Sequence, residues 1–102
     1  MVQTKADVFQ CLRRSEDALT EFGVVRCGVF GSFVRDEAIA TSDVDVLVEF
    51  DPQQKTFKNF MRLTFFLEEL LGRAVDVLTP ESLSQHIGPR ILAEVEYVEA
   101  DQ

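Results

Sequence analysis

The stretch "VFGSFVRDEAIATSDVDVLVEF" (residues 29–50) places two aspartates, Asp43 and Asp45, two residues apart in an otherwise apolar strand segment. Its last part, "DVDVLVEF", alternates polar and apolar residues, which predicts a strand with one buried face. Asp43 and Asp45 then share the other face, with Cα atoms about 6.6 Å apart. Two like charges at this separation repel each other, and an unpaired buried carboxylate is costly. A divalent cation such as Mg²⁺, which takes oxygen ligands, removes that cost, so the pattern indicates a metal site.

The first part of the stretch predicts a binding site for an anion. Residues 24–30 are rich in β-branched and aromatic side chains, which predicts a strand, and Gly31 and Ser32 follow it directly. We expect a short helix over residues 32–39, whose first backbone N–H groups would attract phosphate. Glycine lets an anion approach the backbone closely. A triphosphate held at this turn would lie beside metal ions held by the aspartates, which is the arrangement needed for nucleotidyl transfer.

A third carboxylate belongs to the same pattern. Asp76 lies in the apolar segment "AVDVL" (residues 74–78), which also predicts a strand. If this strand lies beside "DVDVLVEF", all three carboxylates can converge at one edge of the sheet.

The rest of the chain predicts helices that alternate with strands. Helices are expected over residues 4–22, 56–71 and 90–94, and a last strand over residues 95–98. Thr4 is the expected N-cap of the first helix, and Gly72 the residue that ends the second. We therefore expect an α/β (α+β) fold in which helices flank one mixed sheet, in a single domain over residues 1–102.

The composition argues against several classes of protein. The formal net charge is −8, with ten Lys and Arg against eighteen Asp and Glu, which disfavours binding to DNA or RNA. The apolar runs are too short to span a membrane, and Met1 begins no signal-like segment. Neither Cys11 nor Cys27 has the spacing of a metal site. We expect a cytoplasmic protein without a nucleic-acid or membrane partner.

The combined motif resembles that of a known superfamily. Gly31-Ser32, ten intervening residues and then Asp43-Val44-Asp45 resemble the GS-x10-DxD signature of the polymerase-β-like nucleotidyltransferases. The small size and the segments "GSFVRDEA", "SDVDVLVEF" and "VDVLTPESL" resemble the minimal nucleotidyltransferase (MNT) domains. Many MNT proteins are antitoxins of HEPN–MNT pairs and transfer AMP from ATP to a tyrosine of the HEPN RNase toxin. The resemblance thus implies a protein adenylyltransferase that silences a cognate toxin and forms a hetero-oligomer with it.

The resemblance also implies roles for individual residues. Gly31 and Ser32 would bind the phosphates of ATP, and Arg35 matches an arginine of the family's usual "GSxARGEA" run that could meet the triphosphate. Asp36 stands where glycine is common in that run, which adds an acid near a site for a polyanion.

The three carboxylates would hold metal in this family. Asp43 and Asp45 would coordinate two Mg²⁺ ions, and Asp76 would be the third ligand. Asp76 would also help to deprotonate the incoming hydroxyl group.

The helix over residues 56–71 has apolar side chains around most of its circumference, roughly 260° against the usual value of about 100°. Two explanations remain open. Either the helix is sandwiched between two layers, or one flank that includes Phe65 or Phe66 contacts a partner protein. His86 and Cys27 are expected to have structural roles only, and the acidic segment "EVEYVEAD" (residues 94–101) is expected to be solvated.

Other functions are compatible with parts of this pattern. The principal alternative is an antitoxin without catalytic activity that neutralises its toxin by stoichiometric binding. Transfer to a small molecule usually requires a second, helical domain, for which this chain has no room. Transfer to an RNA end is disfavoured by the charge of −8.

Overall fold

In the computed structural model, which describes residues 1–98, four strands form one mixed sheet. The strands are β1 (Val24–Phe30), β2 (Val44–Phe50), β3 (Val75–Leu78) and β4 (Glu96–Tyr97). Their order in the sheet is β3-β2-β1-β4, with β1 antiparallel to both β2 and β4, and β2 parallel to β3. The predicted mixed sheet is confirmed. The first and last residues predicted for each strand differ from the observed ones by at most one position.

Four helices flank this sheet. They are α1 (Lys5–Arg14), α2 (Glu16–Glu21), α3 (Phe57–Leu71) and α4 (Gly88–Glu94). Thr4 caps α1 as predicted, because its Oγ1 accepts the Asp7 N–H at 3.1 Å while the Asp7 carboxylate accepts the Thr4 N–H at 3.2 Å. The prediction of one helix over residues 4–22 is wrong, because the helix is interrupted at Ser15. Serine is a residue type that favours helix caps over helix interiors. Within residues 1–98, no helix has the length and apolar character that crossing a membrane requires.

Helix α3 is buried along one side only. It begins after Thr56 and ends at Gly72, whose left-handed backbone (φ 69°) closes the helix as predicted. Three leucines of the inner side are fully buried, namely Leu63, Leu67 and Leu71. Phe57 and Phe65 are 81% and 61% exposed. The helix is therefore not sandwiched between layers, because only its inner side meets the sheet.

The two faces of the sheet differ in their cover. On one face, Val44, Val46 and Val48 pack into the main core together with α1 and α3. On the other face, Phe30 and Leu47 pack against Ile91 of α4. Helix α4 is short, and it covers only part of this second face. By the alternation of side chains along β2, Asp45 lies on the second face, beside the covered part.

The segment between β1 and β2 differs from the prediction. A single 3₁₀ turn, Gly31–Phe33, takes the place of the helix expected over residues 32–39, and an irregular loop follows it. Asp36 adopts a left-handed backbone (φ 58°), which a continuing helix does not allow. Arg73 then holds the loop, because its Nη1 donates to three carbonyl oxygens at 3.0–3.1 Å, those of Ile39, Ala40 and Ser42. Arg73, which is distant in sequence, thus fixes the conformation of the loop that leads directly into Asp43.

Candidate active site

The pairing of β2 with β3 brings two of the predicted carboxylates together. The parallel register places Asp45 directly opposite Asp76. Paired residues of neighbouring strands have their side chains on the same face, with strands about 4.8 Å apart. Asp43 is exposed and lies immediately before β2. The two acidic strands therefore lie side by side, which is the condition under which the sequence placed their carboxylates at one edge of the sheet.

Gly31 and Asp45 are in direct contact. Gly31 has φ 78°, and Asp45 pairs with the preceding residue, Phe30. A Cβ atom added to Gly31 would overlap with Oδ2 of Asp45 and would lie only 3.0 Å from its Cγ. The absence of a side chain at this position therefore allows the carboxylate of Asp45 to rest against the turn.

Asp45 is the residue of the site whose negative charge is disfavoured by its surroundings. Burial, followed by the charges of Asp76 and Asp43, raises the pKa of its carboxyl to about 6, while Arg35 acts in the opposite direction. A raised carboxyl pKa means that the ionised form is disfavoured in its folded surroundings. A cation bound beside Asp45 would relieve both the burial and the repulsion.

The donor atoms of the site suit Mg²⁺ that is bound together with a phosphate ligand. Within residues 1–98, no group of three or more His, Cys, Asp or Glu side chains is close enough to hold a metal ion unaided. Mg²⁺ commonly uses one or two carboxylates and completes its shell with water and substrate phosphates. Asp45 and Asp76, with Asp43 beside them, supply hard oxygen donors of that kind. The residues thus fit a metal that arrives together with a phosphate ligand.

Arg35 and the Gly31 turn are joined by an acidic residue of α4. One carboxylate oxygen of Glu94 accepts the Gly31 N–H at 2.8 Å, and the other accepts Nη1 of Arg35 at 2.6 Å. Nε of Arg35 donates to Glu37 at 3.2 Å. The bond to Glu94, followed by that to Glu37, raises the pKa of Arg35, and the same Arg35 bond holds the pKa of Glu94 below its usual value. The three residues predicted to bind phosphate thus lie together, since Ser32 is the middle residue of the same turn.

The position of Glu94 contradicts one prediction made from the sequence. The segment over residues 94–101 was expected to be solvated, but Glu94 points into the site because α4 carries it there. Residues 99–101 of that segment lie outside the described residues. Arg90, one turn before Glu94, also lines the site. The sequence held a signal for this pair, because residues four apart in a predicted helical turn share one face.

The site opens as a shallow pocket of about 340 Å³ on the second face of the sheet. Its lining residues are Phe30, Gly31, Arg35, Asp45, Ile87, Arg90, Ile91 and Glu94. The wall opposite the carboxylate is thus formed by α4 and by the residue before it.

Two residues that the sequence assigned to structural roles lie away from this pocket. Cys27 is buried in the main core, and burial raises the pKa of its thiol to about 12, so the thiolate is not available for chemistry. His86 is exposed in the turn before α4.

Comparison with known proteins gives consistent matches. The nucleotidyltransferase domain family matches residues 12–98, which include all the candidate site residues. Protein adenylyltransferase MntA of Thermococcus cleftensis is 48% identical over 77 residues, which are 76% of this chain and 77% of that protein. A solved structure of a candidate minimal nucleotidyltransferase is 31% identical, with a TM-score of 0.80 over 92% of this chain and 95% of that one. One chain in a solved complex of the tri-AMPylated Shewanella oneidensis HEPN toxin with an MNT antitoxin is similar in fold to this chain. The identity is 16%, and the TM-score is 0.63 over 92% of this chain and 74% of that chain.

Proposed function

This chain belongs to the nucleotidyltransferase domain family, and from that premise we propose that it is a Mg²⁺-dependent protein adenylyltransferase. It transfers AMP from ATP to the hydroxyl group of a tyrosine on a cognate HEPN RNase toxin and thereby neutralises the toxin. The observation that carries the proposal is the register of Asp45 beside Asp76, with the Gly31 turn against Asp45. The name of the Thermococcus relative supports protein as the acceptor, and the Shewanella complex supports a toxin as the partner.

The proposed roles divide between the turn and the carboxylates. Gly31, Ser32 and Arg35 bind the phosphates of ATP. In this proposal the turn supplies hydrogen-bond donors at Ser32, and Arg35 supplies a guanidinium group suited to phosphate. The three aspartates, Asp43, Asp45 and Asp76, hold two Mg²⁺ ions. When bound, these ions would neutralise the charge of the carboxylates and of the triphosphate.

The reaction exchanges one phosphorus–oxygen bond for another. The tyrosine oxygen of the toxin forms a bond to the α-phosphorus of ATP, and the bond from that phosphorus to the oxygen bridging to the β-phosphate breaks. Pyrophosphate leaves with the electron pair. Asp76, which is exposed at the open side of the sheet, accepts the proton of the hydroxyl group. We place this reaction in the cytoplasm, where ATP is available.

The exposed side of α3 is the proposed contact with the toxin. Phe65 is 61% exposed in the middle of that side, where a large apolar side chain has no role in this chain's core. Phe66 is partly buried and its ring lies 5.3 Å from that of Phe22, so it contributes less to an outer surface. A hetero-oligomer with the toxin would cover Phe65.

The test is the intact mass of the candidate toxin encoded beside this chain. The toxin is co-expressed with the wild type or with the Asp43→Asn/Asp45→Asn variant, and its mass is measured. We expect AMP-sized additions with the wild type alone, and fragmentation then identifies the acceptor residue.

The same experiment addresses the alternative function. A stable complex without additions in both cases, together with protection of cells from the toxin by the variant, would show an antitoxin that acts by binding alone. Additions that appear equally with the variant would contradict the assigned role of the aspartates.

A further inference from the structure

Glu94 holds two of the groups that the proposed function assigns to the phosphates of ATP. On the basis of that function, we propose that Glu94 is a positioning residue, which fixes the Gly31 turn and the Arg35 side chain in the arrangement that binds the triphosphate. Glu94 itself does not touch the reacting atoms in this proposal. Its effect on the nucleotide passes through Arg35 and through the backbone of Gly31.

The two hydrogen bonds of Glu94 fix the relative position of two elements. One oxygen accepts the Gly31 N–H at 2.8 Å, and the other accepts Nη1 of Arg35 at 2.6 Å. The side chain of Glu94 is only 24% exposed, against 47% for Arg35. Charge-assisted hydrogen bonds in such partly shielded surroundings are stronger and better ordered than those of surface ion pairs.

Arg35 keeps donors for an anion while Glu94 holds it. A guanidinium group has five N–H donors, and within residues 1–98 Arg35 uses one on Nη1 for Glu94 and one on Nε for Glu37. The remaining donors include both on Nη2, which suits a second, bidentate contact with phosphate. An arginine without such supports loses rotamer freedom when it binds a ligand, which weakens binding. Because Glu94 has already ordered the side chain, less of that cost falls on nucleotide binding.

Glu94 is placed on a firmly packed element. Ile91, on the same helix, packs with Phe30 and Leu47 in the core of the second face. Arg90 lines the pocket one turn before Glu94. Helix α4 therefore brings a supporting carboxylate and a second guanidinium to the same pocket, and Glu94 connects that helix to the turn.

A competing account treats the carboxylate of Glu94 as a substitute for phosphate that ATP must displace. The two accounts predict opposite changes when the charge is removed. A positioning role predicts weaker nucleotide binding in Glu94→Gln, whereas a competing role predicts tighter binding.

The experiment is a double-mutant cycle on the affinity for ATP in the presence of Mg²⁺, measured by isothermal titration calorimetry. The proteins are the wild type, Glu94→Gln, Arg35→Gln and the double variant. Glutamine keeps the size of the side chain and a neutral acceptor for the Gly31 N–H, but it removes the charged bond to Arg35. We expect Glu94→Gln to raise the Kd for ATP about tenfold, and to change it less than about twofold when Arg35 is already replaced.

Two further measurements separate positioning from a general effect on folding. In the transfer assay, Glu94→Gln should raise KM for ATP and leave kcat at saturating ATP within about twofold of the wild type. The matched control is Glu96→Gln in the same C-terminal segment, where the carboxylate pairs with Lys5 at 3.1 Å. This control should leave the affinity for ATP unchanged, and thermal unfolding should show that both variants are folded.

Several results would overturn the inference. Tighter ATP binding in Glu94→Gln would identify a competitor, and an equal loss of affinity with and without Arg35 would show that Glu94 does not act through it. Failure of the proposed function is visible separately in the wild type. Wild-type protein that binds ATP without transferring AMP to the toxin would contradict the function alone, and wild-type protein that binds no ATP would contradict both.

Discussion

Gly31 combines a left-handed backbone (φ 78°) with a neighbouring carboxylate that fills the space a side chain would take. Gly31→Ala should lower the free energy of unfolding by about 2 kcal/mol, because a Cβ is strained at this φ and must push Asp45 aside. The displaced carboxylate should also cost the protein its affinity for Mg²⁺ and ATP. Urea unfolding and calorimetry measure the two effects.

Gly72→Ala is the matched control for this change. Gly72 has a similar φ of 69° but lies at the end of α3, away from the pocket. It should lose stability by a comparable amount and keep its affinity for ATP. Equal losses of affinity in both variants would show that the contact between Gly31 and Asp45 has no specific role.

Asp45 should lower the stability of the protein in the absence of metal. Its pKa is raised to about 6, so the ionised carboxylate above that pH is less favourable in the folded chain than in the unfolded one. Asp45→Asn should therefore stabilise the metal-free protein at pH 8. The difference between the raised pKa and the usual value of 3.8 corresponds to about 3 kcal/mol, at about 1.4 kcal/mol per pKa unit, and partial exposure reduces the expected gain to about 1 kcal/mol. The same variant should lose the stabilisation that Mg²⁺ with ATP gives the wild type.

The pH dependence provides the check on this prediction. At pH 4.5 the folded wild type already carries a proton on Asp45, so the advantage of Asp45→Asn should shrink. Thermal unfolding at both pH values, with and without Mg²⁺ and ATP, measures all these changes. If Asp45→Asn were less stable than the wild type at pH 8, the charge of Asp45 would not be destabilising in the folded protein.

The loop that leads into β2 depends on one arginine, Arg73, which lies two residues after the end of α3. Arg73 donates to three loop carbonyl oxygens through Nη1 and to the carbonyl oxygen of Val2 through Nε at 2.7 Å. Arg73→Met should lower the free energy of unfolding by about 2–3 kcal/mol, because these carbonyl groups lose a charged donor. It should also weaken ATP binding, since Asp43 follows the loop directly.

Arg14→Met serves as the control for Arg73→Met. Arg14 is exposed in the last turn of α1, so its replacement should change stability by less than about 0.5 kcal/mol. Chemical denaturation compares the two variants. A similarly small effect in Arg73→Met would show that the loop does not depend on the arginine.

The sequence allowed the strands to be predicted, because these follow from local patterns, whereas the register of Asp45 opposite Asp76 is known only from the structure. Alternation assigns Asp43 and Asp45 to one face of β2, and the apolar segment around Asp76 identifies a strand that can pair with it. The helix ends at Thr4 and Gly72 also follow from local signals.

The parts that could not be predicted depend on contacts between distant residues. The segment after Gly31 is a loop because Arg73 holds its carbonyl groups and because Asp36 takes a left-handed backbone. Glycine adopts that backbone at no steric cost, and aspartate is among the residue types that tolerate it. Glu94 lies 63 residues from Gly31, so its contact with the turn has no local signature.

Recognition of the partner is a property of the outer surface of the whole molecule. Phe65→Ser should weaken the complex with the toxin at least tenfold, because it removes a large apolar side chain from the centre of the proposed contact. It should not change the stability of the chain by more than about 0.5 kcal/mol, as the ring is mostly exposed. Pull-down and calorimetric titration with purified toxin measure the first effect, and thermal unfolding the second.

Val25→Thr is a suitable control for Phe65→Ser. Val25 is 69% exposed and lies in β1, outside α3, and threonine keeps its branched shape. Its affinity for the toxin should equal that of the wild type. Retained binding by Phe65→Ser would remove α3 from the interface.

The opposite placement of α3 and Asp45 bears on how many copies take part in one modification. Helix α3 packs on the face of the sheet that carries Val44 and Val46, whereas Asp45 belongs to the other face. A toxin bound at Phe65 therefore has the thickness of the sheet between its anchor and the aspartates of the same copy. The copy that holds a toxin and the copy that modifies it can then be different molecules. If so, a mixture of Phe65→Ser and Asp43→Asn/Asp45→Asn variants, each inactive alone, would complement in trans and restore AMP transfer.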